Sequence, residues 1–416
     1  MKSQYYQTYK NSETEWLEKI PEHWQEKRIK DLSFLQSGIN ITSEQIEEED
    51  KYPVYGGNGL RGYFSKYTNE GEYVLIGRQG ALCGNINYAS GKFWATEHAV
   101  VVYLKPNIDC KWYGEMLRVM NLNQYSVSAA QPGLSVDRIK RLLLPAPPFL
   151  EQQAIAHYLD TKTAQIDRKI DLLTQKAQRY EELKRSLINE TVTCGLDKSV
   201  PMKDSGIDWI GEIPEHWYIS HVKRFCKKVT DGAHTSPDLS SPDFPFITVV
   251  NLTDGALDFD QCLYTSYSDY KQLVRNGCKP HKFDVLYSKD GTISETVVID
   301  ENREFVVGSS FIILRPHPSI VNSKYISYLL SSPIMKYQAR LYVKGAGLTR
   351  ISIFNVSKLF AILPPLNEQK EIAIYLDIKI AKIDGIIKTI NAQVQKLQEL
   401  RKTLINDVVT GKIKVA

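Results

Sequence analysis

What this 416-residue chain lacks narrows its class before any motif is read. No apolar run approaches the ~18–20 residues of a membrane-spanning helix. The polar N-terminus MKSQYYQTYKNSETEW has no apolar leader core, so the expectation is a soluble, cytoplasmic protein. The six cysteines, Cys83, Cys110, Cys194, Cys226, Cys262 and Cys278, are nowhere closer together than 16 residues. That spacing excludes CxxC redox pairs and zinc-ligand pairs and reads as free thiols in a reducing compartment. Excess charge is also scarce: 52 Lys and Arg against 48 Asp and Glu leave a net +4. A protein that grips a polyanion unaided is usually more basic or gathers its charge into patches. The balance therefore permits nucleic-acid binding by a chain whose partners share the load, without arguing for it.

Catalytic signatures are missing too. There is no GxxxxGK[ST] phosphate loop and no HExxH metal motif. Gly57-Asn58-Gly59-Leu60-Arg61-Gly62 matches the dinucleotide fingerprint GxGxxG in letters. That mechanism needs a strand before the glycines and a helix after them, whereas residues 63–71 read as strand and turn. Ala146-Pro147-Pro148-Phe149 resembles the adenine-methyltransferase tetrapeptide, but Ala146, and Leu363 in the matching place later, cannot hydrogen-bond a target amino group as Asn or Asp would. The repeated pairs His23-Trp24 and His216-Trp217 read as packing residues, and no cofactor or metal is expected in this chain.

What is present is an internal repeat, the first thing to seek in a chain of this length. WLEKIPEHW (16–24) returns as WIGEIPEHW (209–217). PPFLEQQAIAHYLD (147–160) returns as PPLNEQKEIAIYLD (364–377), and the match runs on through SLINETVT (186–193) and TLINDVVT (403–410). The first pair is offset by 193 residues and the second by 217, so the second variable region is about 24 residues longer. Two half-proteins share their ends and differ in their middles. The segments are a connector (1–21), a head (22–145), a long helix (146–195), a second connector (196–214), a second head (215–362), and a second long helix with its tail (363–416).

Each helix begins after Pro-Pro, with Glu151 or Glu368 placed where the helix dipole favours an acid. Apolar residues then recur in alternating steps of three and four, a heptad seam. In the second copy the seam is Leu376, Ile380, Ile383, Ile387, Ile390, Val394, Leu397, Arg401, Leu404 and Val408. In the first it is Leu159, Thr163, Ile166, Ile170, Leu173, Ala177, Tyr180, Lys184, Leu187 and Thr191. Both copies put a base at the same seam position, Lys184 and Arg401. A helix of roughly 40 residues, about 60 Å long, with one apolar stripe needs a partner. The order head–helix–head–helix lets the two helices pair antiparallel with the heads at opposite ends.

The duplicated Pro-Pro, Glu-Gln, Tyr-Leu-Asp runs resemble the conserved regions of type I restriction–modification specificity subunits, and the IPEHW segments resemble the lead into that family's heads. YPVYGGNGLRGYF (52–64) is similar to one kind of target-recognition domain; TDGAHTSPDLSSPDFPFITVVNL (230–252) and YSKDGTIS (287–294) are similar to another. The resemblance covers essentially the whole chain. It implies an α+β fold: two globular α/β target-recognition domains separated by two long antiparallel coiled-coil helices, with a pseudo-two-fold internal repeat. It implies a non-catalytic subunit that reads a bipartite, asymmetric target in double-stranded DNA. It further implies two partner modification (methyltransferase) subunits using S-adenosylmethionine, and restriction/translocase subunits using ATP and magnesium. If both heads share one face of the duplex, their half-sites should be centred about one turn, ~10–10.5 bp, apart.

Within the heads, β-prone runs at 73–77, 99–104, 245–250 and 305–316 and helical stretches at 111–120 and 323–341 suggest a mostly antiparallel sheet. Glycine-rich polar loops are the places to look for base and phosphate contacts. In the first head these are 56–63, 77–80 and 131–133, with Asn58, Arg61, Arg78 and Gln79 as candidate DNA-binding residues. In the second they are 231–236, 288–292 and 344–350, with His234, Thr235, Lys289, Lys344 and Arg350. Two other readings compete: a stand-alone methyltransferase fusion, and a coiled-coil scaffold whose heads bind proteins.

Overall fold

The structure is a computed structural model that describes residues 5–80, 82–126, 133–235, 237–239, 241–253, 255–343 and 349–415. The chain forms two compact units, and the division falls within the long helices. Residues 1–174 with 392–416 make the first unit, and 175–391 make the second. Each unit therefore takes a head, half of one long helix and half of the other.

The long helices run Phe149–Cys194 and Leu366–Val409, 46 and 44 residues. Both start as the proline pairs dictate, since proline has no N–H to satisfy at a helix start. Every expected seam position in both helices is buried or half-buried, while between residues 164 and 186 nearly all the others are exposed. In the first unit, Ile155, Ala156 and Leu159 share a core with Ile405, Val408 and Val409, and Asp167 Oδ1 lies 2.8 Å from Arg401 Nε. In the second, Val192 shares a core with Ile372, Ala373, Leu376 and Ile380, and Lys184 Nζ lies 2.6 Å from Asp384 Oδ1. Inside each unit the helix segments thus run antiparallel. The two seam bases, Lys184 and Arg401, pair reciprocally with the equivalent aspartates of the opposite copy. Long basic side chains reach out of a seam to an edge carboxylate, which spares them burial without a partner.

In the first unit, β1 (Tyr9–Asn11) and β2 (Lys19–Pro21) form a hairpin, and β3 (Gln25–Arg28) leads into the head. The head is a six-stranded sheet of β4 (Ser33–Ser37), β5 (Tyr52–Gly56), β6 (Gly59–Phe64), β7 (Asn69–Gly77), β8 (Ile86–Ala95) and β9 (Ala99–Leu104). Its order is β4-β9-β7-β8-β5-β6, antiparallel except for β5 alongside β8. β10 (Leu143–Ala146) returns to pair with β3. Val74, Ile76, Val100 and Val102 face the helix Cys110–Val119 through Trp112, Tyr113 and Met116. Leu75 and Val101 pack on the opposite face with Ala89 and Phe93. Burial on both faces explains the unbroken apolar run of β9.

The second unit repeats this plan. β11 (Met202–Asp204) and β12 (Glu212–Pro214) pair in the register of β1 and β2, and β13 (Tyr218–His221) pairs with the returning strand, here Phe360–Leu363. β14 (Cys226–Asp231), β15 (Phe244–Ile247), β16 (Leu252–Thr253), β17 (Ala256–Leu257), β18 (Leu263–Thr265), β19 (Val285–Ser288), β20 (Thr296–Val298), β21 (Val306–Val307), β22 (Phe311–Pro316) and β23 (Phe360–Leu363) build its head and return. The four-stranded order β14-β22-β19-β20 matches β4-β9-β7-β8 of the first head. β15 lies parallel to β21 as β5 lies parallel to β8. The added length sits at 248–284, where β16–β18 and the helix Tyr267–Arg275 take the place of β6. The expected helix over 323–341 is two helices, Ser323–Ser331 and Pro333–Arg340, because Pro333 cannot continue a helix and starts a new one instead,. The expected strand over 305–316 is likewise broken, at 308–310 between β21 and β22.

The repeated IPEHW and Pro-Pro motifs meet at the foot of each head. Trp24 and Trp217 are fully buried. Trp24 Nε1 donates to Glu151 Oε1 at 3.2 Å and Trp217 Nε1 to Glu368 Oε2 at 3.0 Å, while His23 and His216 each contact the same glutamate at 2.8 Å. The tryptophans are the packing residues expected, whereas His23 and His216 are about half exposed, at 49% and 44%, and cap the glutamate from the solvent side. Glu368→Ala should cost about 1–3 kcal/mol by leaving the buried Trp217 N–H without an acceptor; Glu368→Gln should cost less, as urea unfolding of the full chain will show. Lys184→Glu should cost about 1 kcal/mol or less, the pair being partly exposed. The double change Lys184→Glu/Asp384→Lys should recover most of that loss in the same measurement.

Candidate nucleic-acid interface

Loops carry binding residues where a rigid scaffold brings them together, and in the first head they converge at one end of the sheet. The β5–β6 turn packs directly on the end of β7: a Cβ on Gly77 would lie 2.1 Å from the Gly57 carbonyl oxygen. Only glycine permits that approach. Asn58 is exposed at the turn and its Oδ1 accepts from Asn85 Nδ2 at 3.4 Å. Arg61 is exposed, and its stem crosses Gly56. Arg78, half-buried, donates its backbone N–H to His98 O at 2.9 Å and its Nη1 to Ser37 Oγ at 3.3 Å. Gln79 bridges the backbone of Gly133 and leaves its side chain exposed. The four residues expected from the sequence are thus gathered in one place. Of the third expected loop, Gln131 and Pro132 lie outside the described residues.

The second head builds its counterpart from different side chains. Asp231 ends β14; its Oδ2 accepts from Lys289 Nζ at 2.6 Å and contacts His234 Nε2 at 2.8 Å. His234 and Thr235 are exposed. Lys289 departs from the expectation of an open reading residue: its side chain is only 6% exposed and tied to Asp231. Burying an ammonium without a partner is costly, so the ion pair makes Lys289 a support for the loop. Asp290 bridges Arg350, whose Nε and Nη2 donate to the two carboxylate oxygens at 2.6 and 3.1 Å. Those bonds strengthen the guanidinium's hold on its proton. Lys344 lies outside the described residues.

Backbone bonds match the two sites position by position. Leu134 N donates to Arg78 O and Ile351 N to Lys289 O; Arg78 N donates to His98 O and Lys289 N to Ser310 O. Gly38 N donates to Ala99 O, and Gly232 N to Phe311 O. Ser37 therefore corresponds to Asp231, Arg78 to Lys289, Gln79 to Asp290 and Gly133 to Arg350. Sequence reasoning missed Ser37, Asn85 and His98, and placed Asp231 and Asp290 in candidate loops without naming them as site residues. Asp231 stands inside the TDGAHT run that carried the resemblance, and Asp290 follows Lys289, so these two were within reach. Ser37, Asn85 and His98 carry no signal of their own.

The family model described as the type I restriction modification DNA specificity domain matches residues 21–182 and again 214–396, most of the chain. The chain belongs to the type I restriction–modification DNA specificity family. Members are DNA-recognition subunits, and two recognition domains in one chain fit a bipartite target. The EcoprrI specificity subunit of Escherichia coli is 42% identical over 164 residues, 38% of this chain and 39% of that protein. A Haemophilus influenzae protein named as a type I restriction enzyme specificity subunit is 25% identical over 369 residues, 85% of this chain and 88% of that one. A solved structure, titled as the structural basis of complex assembly and conformational transition of the type I R-M system, shares the fold. It has a TM-score of 0.70 at 16% identity and covers 95% of this chain and 99% of that one.

Gly77→Ala should push the β5–β6 turn off β7 at a cost of about 1–3 kcal/mol. It should abolish recognition of the half-site read by the first head while leaving the other, which sequencing of methylated sites in cells will show.

Proposed function

We propose that this specificity subunit assigns each head one half of an asymmetric DNA target and directs partner subunits to it. Two methyltransferase subunits would methylate adenine with S-adenosylmethionine, and restriction/translocase subunits would supply ATP- and magnesium-dependent cleavage, all in the cytoplasm. This chain supplies specificity and no chemistry. The observation that carries the reading is the pair of matched sites: one backbone scaffold, two unlike sets of polar side chains. Burial pushes the Cys110 and Cys226 thiols up to about 11 and about 12, far from the thiolate that a nucleophile requires,.

Exchange of residues 22–145 for another family member's head tests the reading. Methylome sequencing of cells making the chain with its partners should show one half-site changed and the other retained; a change in both would end the modular account. Binding should also weaken steeply with salt, as phosphate contacts require.

A further inference from the structure

The second site differs from the first in its charge. Among the described residues its four permanent charges, Asp231, Lys289, Asp290 and Arg350, cancel, and the ion pairs that join them are short. A phosphate site needs uncompensated positive charge, because phosphate affinity comes from neutralisation and counterion release. A neutral cluster forgoes that gain and is left with directional hydrogen bonding. The donors that remain belong to Arg350. Asp290 occupies its Nε and one N–H of Nη2, and among the described residues no other partner meets the guanidinium. The outer edge, formed by Nη1 and the second N–H of Nη2, is left free on a side chain that is 58% exposed. A planar fork fixed from behind by a carboxylate is pre-organised for a bidentate acceptor. In the major groove, guanine offers that acceptor pair in O6 and N7.

We propose that Arg350, held in plane by Asp290, reads a guanine in the half-site of the second head. The proposal rests on the DNA-recognition reading and adds to it a residue and a base. In the first head the corresponding position is Gly133, which has no side chain, and the residue matching Asp290 is Gln79, whose amide is exposed. The first head therefore has no equivalent guanine reader at this point of the scaffold.

The test compares the full chain, assembled with its partner subunits, in four forms: unaltered, Arg350→Ala, Arg350→Lys, and Arg350→Ala/Asp290→Asn. The double variant removes the carboxylate that the single one would leave unpaired. Methylome sequencing of the unaltered complex should show an obligate G·C pair in the half-site assigned to the second head by head exchange. All three variants should relax that one position and keep every other, the intact first half-site showing that the complex still assembles. In competition binding, 7-deazaguanine at that pair, which lacks the N7 acceptor, should weaken the unaltered complex by on the order of tenfold or more and leave Arg350→Ala unaffected. Three results would overturn the proposal: an unchanged motif in the variants, loss of the whole second half-site in both alanine variants, or equal weakening on all sequences with a shallower salt dependence, the mark of a phosphate contact. An unaltered complex without sequence preference would instead remove the recognition reading itself.

Discussion

Two neighbouring side chains at the start of each long helix hold the head, the connector and the helix together. Glu151 and Glu368 accept the indole N–H of a buried tryptophan from the connector side. Gln152 and Gln369 turn the other way. Each donates to the first carbonyl of the Pro-Pro pair and accepts the backbone N–H of the residue that caps the head's main helix, Asp109 or Asn322. Both glutamines are buried, at 3% and 0% exposure. A buried amide left half-satisfied costs a substantial part of a domain's net stability, so all partners must be present together. That requirement explains why the repeated stretches include IPEHW and Glu-Gln, residues far apart in the chain and in contact at the joint.

From this joint the heads can diverge. The first and second share strand order, the parallel pairing beyond it and the backbone bonds around the candidate site, yet their variable stretches look unrelated in sequence. A sheet needs only apolar residues at the right alternation and can take many sequences. The joint needs particular polar atoms and tolerates few. Set side by side, the two halves of the sequence therefore repeat visibly at the joint and the helices and not along the sheet.

The same contrast explains what was legible. The seam was readable residue by residue because a heptad pattern is a direct image of burial, and Lys184 and Arg401 could be placed on it; their reciprocal aspartates, Asp384 and Asp167, could not, since a charge on an exposed flank looks like any solvated residue. At the sites, Asn58, Arg61, Arg78 and Gln79 could be singled out as candidates because glycine-rich polar loops stand out. Lys289 carried the same signal yet is buried, because its partner Asp231 lies 58 residues away and only the fold brings the two together.

The glycines at the sites show how the displayed side chains can change without refolding. Gly38 and Gly232 directly follow the first strand of each sheet, where a Cβ would strike a carbonyl oxygen at 2.2 and 2.0 Å, so the backbone path is fixed by close approach and not by the polar side chains of the site. Residues 79 and 133, or 290 and 350, then meet through one backbone bridge with their side chains free to vary. A glutamine beside a glycine and an aspartate beside an arginine are two fillings of that frame, one offering an exposed amide and the other an oriented guanidinium. Substitution at two positions is thus enough to alter the hydrogen-bonding groups displayed at this end of the head, while the strands, the joint and the helices beneath stay as they are.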